Sequence, residues 1–335
     1  MKSRIDLESV FKLSELADYI VPFAIRVVCD LRIADLLVAG PRPVVELAAE
    51  SGTHAPSLQR ALRALASKGI FAETDDGDFE LTPLAEPLRG DHPLSLREAF
   101  PLLPGEIKAW SNFDHTIRTG RSAFEEVHGT SCWDYLERHP EEGARWLRSQ
   151  QAATALESRS LLSAYPWARF GTVADLGGGN GAFLASLLGR FPEMRGVLFD
   201  LPHAARNAPA ALAEAGVADR CEVVQGSFLE DAPGEIDLYL LKRVLYGLDD
   251  EQAGTALRNV RTAMKPDSRL LVLEPVIEAG NREDVGKLYD LLLITMTGAG
   301  ARTEEQFASL TAAAGLRVVS FIPTPMLKIV EIAPA

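Results

Sequence analysis

Cysteine is scarce in this sequence: Cys29, Cys132 and Cys221 are the only three in 335 residues. They lie far apart, and no cluster of His, Cys and Asp has metal-ligand spacing. Neither a disulfide framework nor a metal site is expected, and the thiols read as buried groups in a reducing compartment. Long apolar runs are missing too. None reaches the ~18 residues that a bilayer span needs. The N-terminus, MKSRIDLESVFKLSEL, lacks the apolar core and small-residue cleavage site of a signal peptide. A cytoplasmic protein without a membrane partner is expected. Positive charge is short as well: 34 Lys and Arg stand against 47 Asp and Glu, a net charge of −13. Broad nucleic-acid binding needs clustered cations to neutralise phosphates, so no such partner is expected, although a small or cationic ligand stays open. No Gly-x-Ser-x-Gly elbow marks a hydrolase. Histidine is limited to six residues, and none follows His203.

What is present divides into two grammars. Residues 1–100 read as mostly helical. In PVVELAAESGTHAPSLQRALRALASKGIF two helices follow one another, with Val45, Leu47 and Ala48 on one apolar face and Leu58, Leu62 and Leu65 on the next. Gly69 stops the second helix. FAETDDGDFELTPLA then places Asp76-Gly77 as a turn between two short strands. Two helices and a hairpin make a winged helix. Arg60, Arg63 and Lys68 on the second helix could face DNA, but Asp75, Asp76, Asp78 and Glu80 on the wing would repel phosphate. The module reads as a packing or dimerisation unit. Residues 101–165 are helix-rich with spaced aromatics and read as a connector or lid.

From 166 to 335 the grammar changes. TVADLG, GVLFDLP, CEVVQGSF, IDLYLLKRVL and RLLVLEPV are apolar runs ending in polar residues, with helical segments between them. That alternation signals an α/β fold with a parallel sheet. LRVVSFIPTPMLKIVEIA holds two strands separated only by Pro323-Thr324-Pro325, which forces an antiparallel pair at one end of the sheet. In VADLGGGNGAFLASLL a strand ends at Asp175, Gly177, Gly178, Gly179 and Gly181 follow, and a helix begins. Glycines let the backbone turn tightly and approach a ligand. Asp200, in FDLP, ends the next strand, where a carboxylate suits a ribose diol. Gly177-x-Gly179-x-x-Ala182 fits the loose dinucleotide pattern. An acid two residues before the glycines instead favours a ligand with positive charge and no pyrophosphate.

DLGGGNG resembles the cofactor motif of S-adenosylmethionine-dependent methyltransferases. With HGTSCWDYL, FDLPH, GSFLEDAP, LKRVLYGLDDEQA, LEPV and ARTEEQFASLTAAAGL, nearly the whole chain resembles the small-molecule O-methyltransferases, which include plant caffeate-type and bacterial natural-product enzymes. The resemblance implies a class I methyltransferase fold: a Rossmann-like, mostly parallel seven-stranded sheet with a C-terminal antiparallel hairpin. A helical winged-helix dimerisation domain would precede it. It also implies S-adenosylmethionine as cofactor and a homodimer, for which Val10, Phe11, Leu13, Leu16 and Ile20 form an amphipathic start. Asp175 and the Gly177–Gly181 loop would face the amino-acid half of the cofactor. Asp200 would hold the ribose hydroxyls, Leu201 would pack on the adenine, and Lys242 would contact the methionine part. Ser227, beside Phe228, stands where the family usually has Asp, and a hydroxyl bonds the adenine amino group less strongly than a carboxylate.

The catalytic motif departs further. The family usually removes the acceptor's proton with a histidine; its counterpart here is Tyr246. Gly247-Leu248 replaces the usual Asp-Trp. Of the two acids that buttress the histidine, Glu274 is present and the second falls on Ala301. A tyrosine base near pH 7 needs its pKa of ~10 lowered by roughly three units. A sulfonium, Lys242 and Arg243 would push that way, and burial would oppose them. A neutral phenol that orients the substrate is the lighter demand, and a space-filling ring is the plain alternative. His115 and His128 lie in the connector; His128 reads as a turn or packing residue and His115 as a substrate contact. Asp290, Met296 and Thr297, in LYDLLLITMTGAG, are further candidates for the substrate pocket. Two enzymatic functions stay open: methyl transfer to a small aromatic or polyketide-type product, or non-methylating chemistry in which the sulfonium serves as fixed positive charge. A ligand-binding winged-helix regulator is the non-enzymatic alternative.

Overall fold

The computed structural model describes residues 6–202 and 204–335; His203 lies outside them. The chain divides into two compact units. One runs up to Leu103 and takes in Ala144–Ala152; the other holds Pro104–Gly143 and Ala153–Ala335. The stretch 101–165 falls partly in each unit.

In the first unit, helix Val44–Ser51 ends at Gly52, whose φ of 66° is left-handed. Helix Ala55–Ala66 follows with a proline in its first turn, where a missing N–H leaves no bond unmade. Leu58, Leu62 and Leu65 line one face and are buried. Leu47 and Ala48 are buried too, but Val45 is 67% exposed. Two helical positions before Leu47, it points away from the face that Leu47 shares with Ala48. Strands Phe71–Glu73 and Phe79–Leu81 pair antiparallel, and Gly77 (φ 84°) turns the chain between them. Their phenylalanines fill the small core. Arg63 pairs with Glu73 on the wing at 2.7 Å, and Lys68 pairs with Glu15 at 2.8 Å. No residue of helix Leu7–Ala17 is buried. Val10, Phe11, Leu13, Leu16 and Ile20 are each more than half exposed.

The second unit is built on seven strands: β1 Thr172–Leu176, β2 Arg195–Asp200, β3 Cys221–Gln225, β4 Leu238–Lys242, β5 Arg269–Glu274, β6 Leu316–Pro323 and β7 Lys328–Pro334. Their order is β6-β7-β5-β4-β1-β2-β3. β1 to β5 are parallel, and β7 pairs antiparallel with both β5 and β6. The central strands are apolar along their whole length because both faces are covered. The helices that matter for the site are α1 Pro140–Ala164, α2 Ala182–Arg190, α3 Asp250–Ala263 and α4 Val285–Thr297. α2 supplies Leu184, Leu187 and Leu188 to one core layer. α3 supplies Ala253, Ala256, Leu257 and Val260 to the other. The tail hairpin turns at Thr324–Leu327, so Pro323 closes β6 instead of opening the turn. β6 is an edge strand, where a residue without an N–H is tolerated. Among the described residues no helix is long and apolar enough to cross a membrane.

Strand order reverses between β1 and β4. Ligands of open α/β sheets bind outside the strands' carboxyl ends at such a point. Asp175, Asp200, Lys242 and Glu274 all lie at those ends.

Candidate active site at the strand ends

The glycine loop opens directly from β1. Gly177, Gly179 and Gly181 have φ of 73°, 58° and 78°, a region that side chains disfavour. Close packing adds a second constraint: a Cβ on Gly178 would lie 2.8 Å from the Asp175 carboxyl carbon, and one on Gly177 would lie 2.9 Å from a Val244 methyl. Asp175 is 2% exposed. Among the described residues its Oδ1 has no hydrogen-bond partner. Burial pushes its pKa up to about 7; Lys242 opposes this and Asp200 adds to it. A buried carboxylate oxygen without a donor is costly, so the position suits a cationic group. Asp200 ties the end of β2 to the loop. Its Oδ2 accepts the Gly179 N–H at 2.8 Å and its Oδ1 accepts the Leu201 N–H at 2.7 Å. Leu201 itself is 42% exposed. The Ser227 hydroxyl accepts the Leu229 N–H at 3.2 Å, so it holds its own turn. The Phe228 ring borders Gly177.

At the end of β4 the central feature is one that the sequence reading missed. Glu157, on α1, is fully buried. Lys242 Nζ lies 2.7 Å from its Oε2 and donates to Thr154 Oγ1 at 3.1 Å. Arg243 donates through Nε to Glu157 Oε1 at 2.9 Å, and Nη2 bonds the same oxygen. Burial alone would raise the Glu157 pKa, but Lys242 and Arg243 hold it below the ordinary value. Burial lowers the Lys242 pKa against the pull of Glu157. The Arg243 backbone is left-handed (φ 57°), held by its N–H donating to Leu273 O at 3.0 Å. Its guanidinium stacks 5.0 Å above the Tyr289 ring of α4.

Tyr246 follows in a single helical turn, Leu245–Gly247. Burial raises its pKa. The positive charge of Arg243 opposes that, while Glu274 and Glu157 reinforce it. It is therefore a phenol, not a phenolate. Glu274, at the end of β5, is fully buried and accepts the Tyr246 N–H at 3.2 Å. Burial lifts it to about 8, opposed by Arg302 and by nearby backbone N–H groups. Among the described residues its Oε1 has no hydrogen-bond partner.

Arg302 was also missed. It donates to Leu245 O at 2.7 Å and Leu248 O at 2.9 Å, and pairs with Asp250 at 2.8 Å. It thus fastens the Tyr246 turn through its carbonyls. A cavity of about 720 Å³ lies beside this turn, lined by Gly247, Leu248, Asp249, Thr297, Ala301 and others. A Cβ on Gly247 would meet nothing within 4 Å.

The remaining candidates divide. Asp290, on α4, accepts the Ala301 N–H at 2.8 Å, and Thr297 borders the cavity while bonding back to Leu293 O at 3.0 Å. Both belong to the surroundings of the strand ends. Met296 packs on Ala109, Phe124 and Cys132 instead. His115 Nε2 sits 3.9 Å from Glu126, and nothing among the described contacts brings it to Tyr246. His128 bonds Gly105 O at 3.0 Å and stacks between Phe124 and Tyr135. Among the described residues no group of His, Cys, Asp and Glu could hold a metal ion.

Comparison with known proteins agrees with this architecture. Residues 110–317 match the O-methyltransferase domain and residues 14–89 match the O-methyltransferase dimerisation domain. Phenazine O-methyltransferase PhzM of Lysobacter antibioticus is 40% identical over 96% of this chain and 95% of its own. Aclacinomycin 10-hydroxylase RdmB of Streptomyces purpurascens is 33% identical over 92% and 84%. Among solved structures, LaPhzM superposes with a TM-score of 0.91 at 39% identity, covering 99% of this chain and 100% of that one. NcsB1, from neocarzinostatin biosynthesis, in complex with S-adenosylmethionine and 2-hydroxy-5-methyl naphthoic acid, gives 0.82 at 32% identity, covering 99% and 100%.

Proposed function

This chain belongs to the O-methyltransferase family, and from that premise we propose that it methylates a small aromatic or polyketide-type natural product without a histidine base. The observation that carries this reading is Tyr246, a phenol whose burial raises its pKa, set in the turn that follows β4 where the family has its histidine. S-adenosylmethionine, when bound, supplies the methyl group and a fixed positive charge. The residues present fit it. Asp175, with its orphaned oxygen, would hold the ammonium, and Asp200 the ribose hydroxyls. Leu201, Ser227 and Phe228 would border the adenine, and Lys242 the methionine part.

The phenolic hydrogen of Tyr246 can be donated to an acceptor oxygen. Tyr246 then orients the acceptor and does not deprotonate it. Glu274, near pKa 8, is mostly neutral at pH 7 and holds the turn through the Tyr246 N–H. The chain's contribution is positioning for in-line displacement, with an acceptor that needs no strong base.

A second reading rests on the same missing base. A family member can use the cofactor's positive charge without methyl transfer, and the hydroxylase relative makes that concrete. A winged-helix regulator is opposed by the Arg63–Glu73 and Lys68–Glu15 pairs, which neutralise one cation of the second helix and one just beyond its end. The exposed apolar start of the chain and the matched dimerisation domain support a homodimer with a small-molecule substrate. Incubation with labelled S-adenosylmethionine and a panel of aromatic acceptors separates the two enzymatic readings. Stoichiometric S-adenosylhomocysteine and methylated product are expected. Substrate turnover with the cofactor unconsumed would sink methyl transfer.

A further inference from the structure

Strands β1, β2 and β3 lie side by side in that order. Neighbouring strands stand ~4.8 Å apart, so their carboxyl ends offer three stations spread over ~10 Å. Asp175 and Asp200 occupy the first two. The third is the turn after β3, whose polar groups are unevenly used. Ser227 O accepts the N–H groups of Glu230 at 2.9 Å and Asp231 at 3.0 Å. The peptide that carries this carbonyl is trans, and a trans peptide is planar with its N–H opposite its carbonyl. The Phe228 N–H, on that same peptide, is therefore directed out of the turn. Among the described residues it has no hydrogen-bond partner. Asn259, on α3, donates to Phe228 O at 3.0 Å and fixes the next peptide. The Ser227 hydroxyl accepts the Leu229 N–H at 3.2 Å and keeps its own hydrogen and a second lone pair. The acids nearby are placed otherwise. Asp200 is engaged with the Gly179 and Leu201 N–H groups, and Glu230 and Asp231 are exposed.

Resting on the reading of these strand ends as the S-adenosylmethionine site, we propose that the chain selects the cofactor's purine through the Phe228 N–H and is indifferent to its exocyclic amino group. Ser227 is the residue that sets this tolerance. A base at the third station presents an edge on which a ring nitrogen accepts and the amino group beside it donates. A fixed N–H is a donor only, so it matches the ring nitrogen. A carboxylate is an acceptor only. At position 227 it would demand the amino group, through a charge-assisted bond roughly twice as strong as a neutral one. A hydroxyl donates or accepts by rotating, so it makes no such demand. The cofactor site thus reads the purine ring and leaves the amino position open to replacement.

Calorimetric titration of the full chain tests this, with S-adenosylhomocysteine and two analogues altered at the amino position. In one, hydrogen replaces the amino group. The other is S-inosylhomocysteine, which carries oxygen there and a hydrogen on the neighbouring ring nitrogen. The hydrogen analogue is expected to bind less than about tenfold more weakly than S-adenosylhomocysteine, the loss of one neutral hydrogen bond at most. S-inosylhomocysteine is expected to bind more than about tenfold more weakly, because its ring N–H would face the Phe228 N–H and leave both donors unpaired. Ser227→Asp should carry the first comparison past about tenfold and keep the turn, since an Asp side chain can take the Leu229 N–H as the hydroxyl does. In the wild-type protein, a larger loss for the hydrogen analogue or a smaller one for S-inosylhomocysteine overturns the proposal, whatever the variant's stability. So does an unchanged comparison in Ser227→Asp, which would take position 227 away from the amino group. Failure of S-adenosylhomocysteine itself to bind would unseat the cofactor reading, and this proposal with it; the three comparisons can fail with that reading intact.

Discussion

Glu157→Gln is the perturbation with the largest predicted consequence. The carboxylate is fully buried and holds Lys242 at 2.7 Å and Arg243 at 2.9 Å. Removing one partner of a buried ion pair costs about 3–5 kcal/mol, because the other charge stays buried without compensation. Here two cations lose the same partner, so the upper part of that range applies. Against a total stability of ~5–15 kcal/mol, the unit would be close to unfolding at room temperature. At ~2–4 °C per kcal/mol for a domain of this size, the melting midpoint should fall by about 8–20 °C. Scanning calorimetry at pH 7 measures it. A compensating change checks the cause: Lys242→Met placed on Glu157→Gln removes one of the two stranded charges and should recover ~1 kcal/mol or more as a coupling energy. A Glu157→Gln loss below ~1 kcal/mol would refute the reasoning, since it would mean the cations already reach water.

Three further outcomes test the site. Tyr246→Phe should slow turnover well beyond tenfold, more than ~1.4 kcal/mol of transition-state stabilisation; single-turnover kinetics at saturating acceptor decide, and an unchanged rate would leave only the ring's shape in use. Asp175, at about 7, is half protonated in the free chain at neutral pH, and a cationic group placed on it would drive that proton off. S-adenosylhomocysteine binding should therefore release ~0.5 proton at pH 7, with affinity rising as pH increases towards 7 and levelling above it; calorimetry in buffers of differing ionisation heat reads this, and equal release by Asp175→Asn would place the ammonium elsewhere. Glu274 is raised from 4.5 to about 8, so the folded chain binds its proton more tightly than the unfolded one. That contribution to stability is full below ~4.5 and is lost as pH rises through 8. Glu274→Gln should flatten the fall in melting midpoint between pH 6 and 8.5, and an identical fall in the variant counts against it.

The parts legible in the sequence were those carried by local pattern. Five apolar runs became β1 to β5, most fully in β1, β4 and β5, where a strand covered on both faces is apolar almost throughout. The glycine loop announced itself because positive φ restricts residue choice. The Asp76-Gly77 hairpin and the buried Leu58, Leu62 and Leu65 followed from turn chemistry and helical spacing. What stayed hidden depends on partners far apart in the chain. Glu157 reads as any acid on a polar helix, and only folding brings it 86 residues across to Arg243. Arg302 sits in a segment quoted for its resemblance, yet nothing local says that its guanidinium will reach Leu245, 57 residues away. Position along the chain does not say which neighbours His115 and Met296 meet; in the fold His115 lies 3.9 Å from Glu126 and Met296 packs on the Phe124 cluster.

A histidine would work poorly at position 246 in these surroundings. Burial and the Arg243 guanidinium would both disfavour an imidazolium, and the mostly neutral Glu274 offers little to stabilise it at pH 7. The carboxylate that could do so is absent at Ala301, and Gly247 leaves open space where an acid would stand. Yet the turn has not decayed. Arg302 fixes its carbonyls, Glu274 its N–H, and Glu157 the two cations before it. Those contacts fix the backbone of the turn that carries Tyr246. A scaffold kept rigid around a phenol suits an acceptor that needs no strong base.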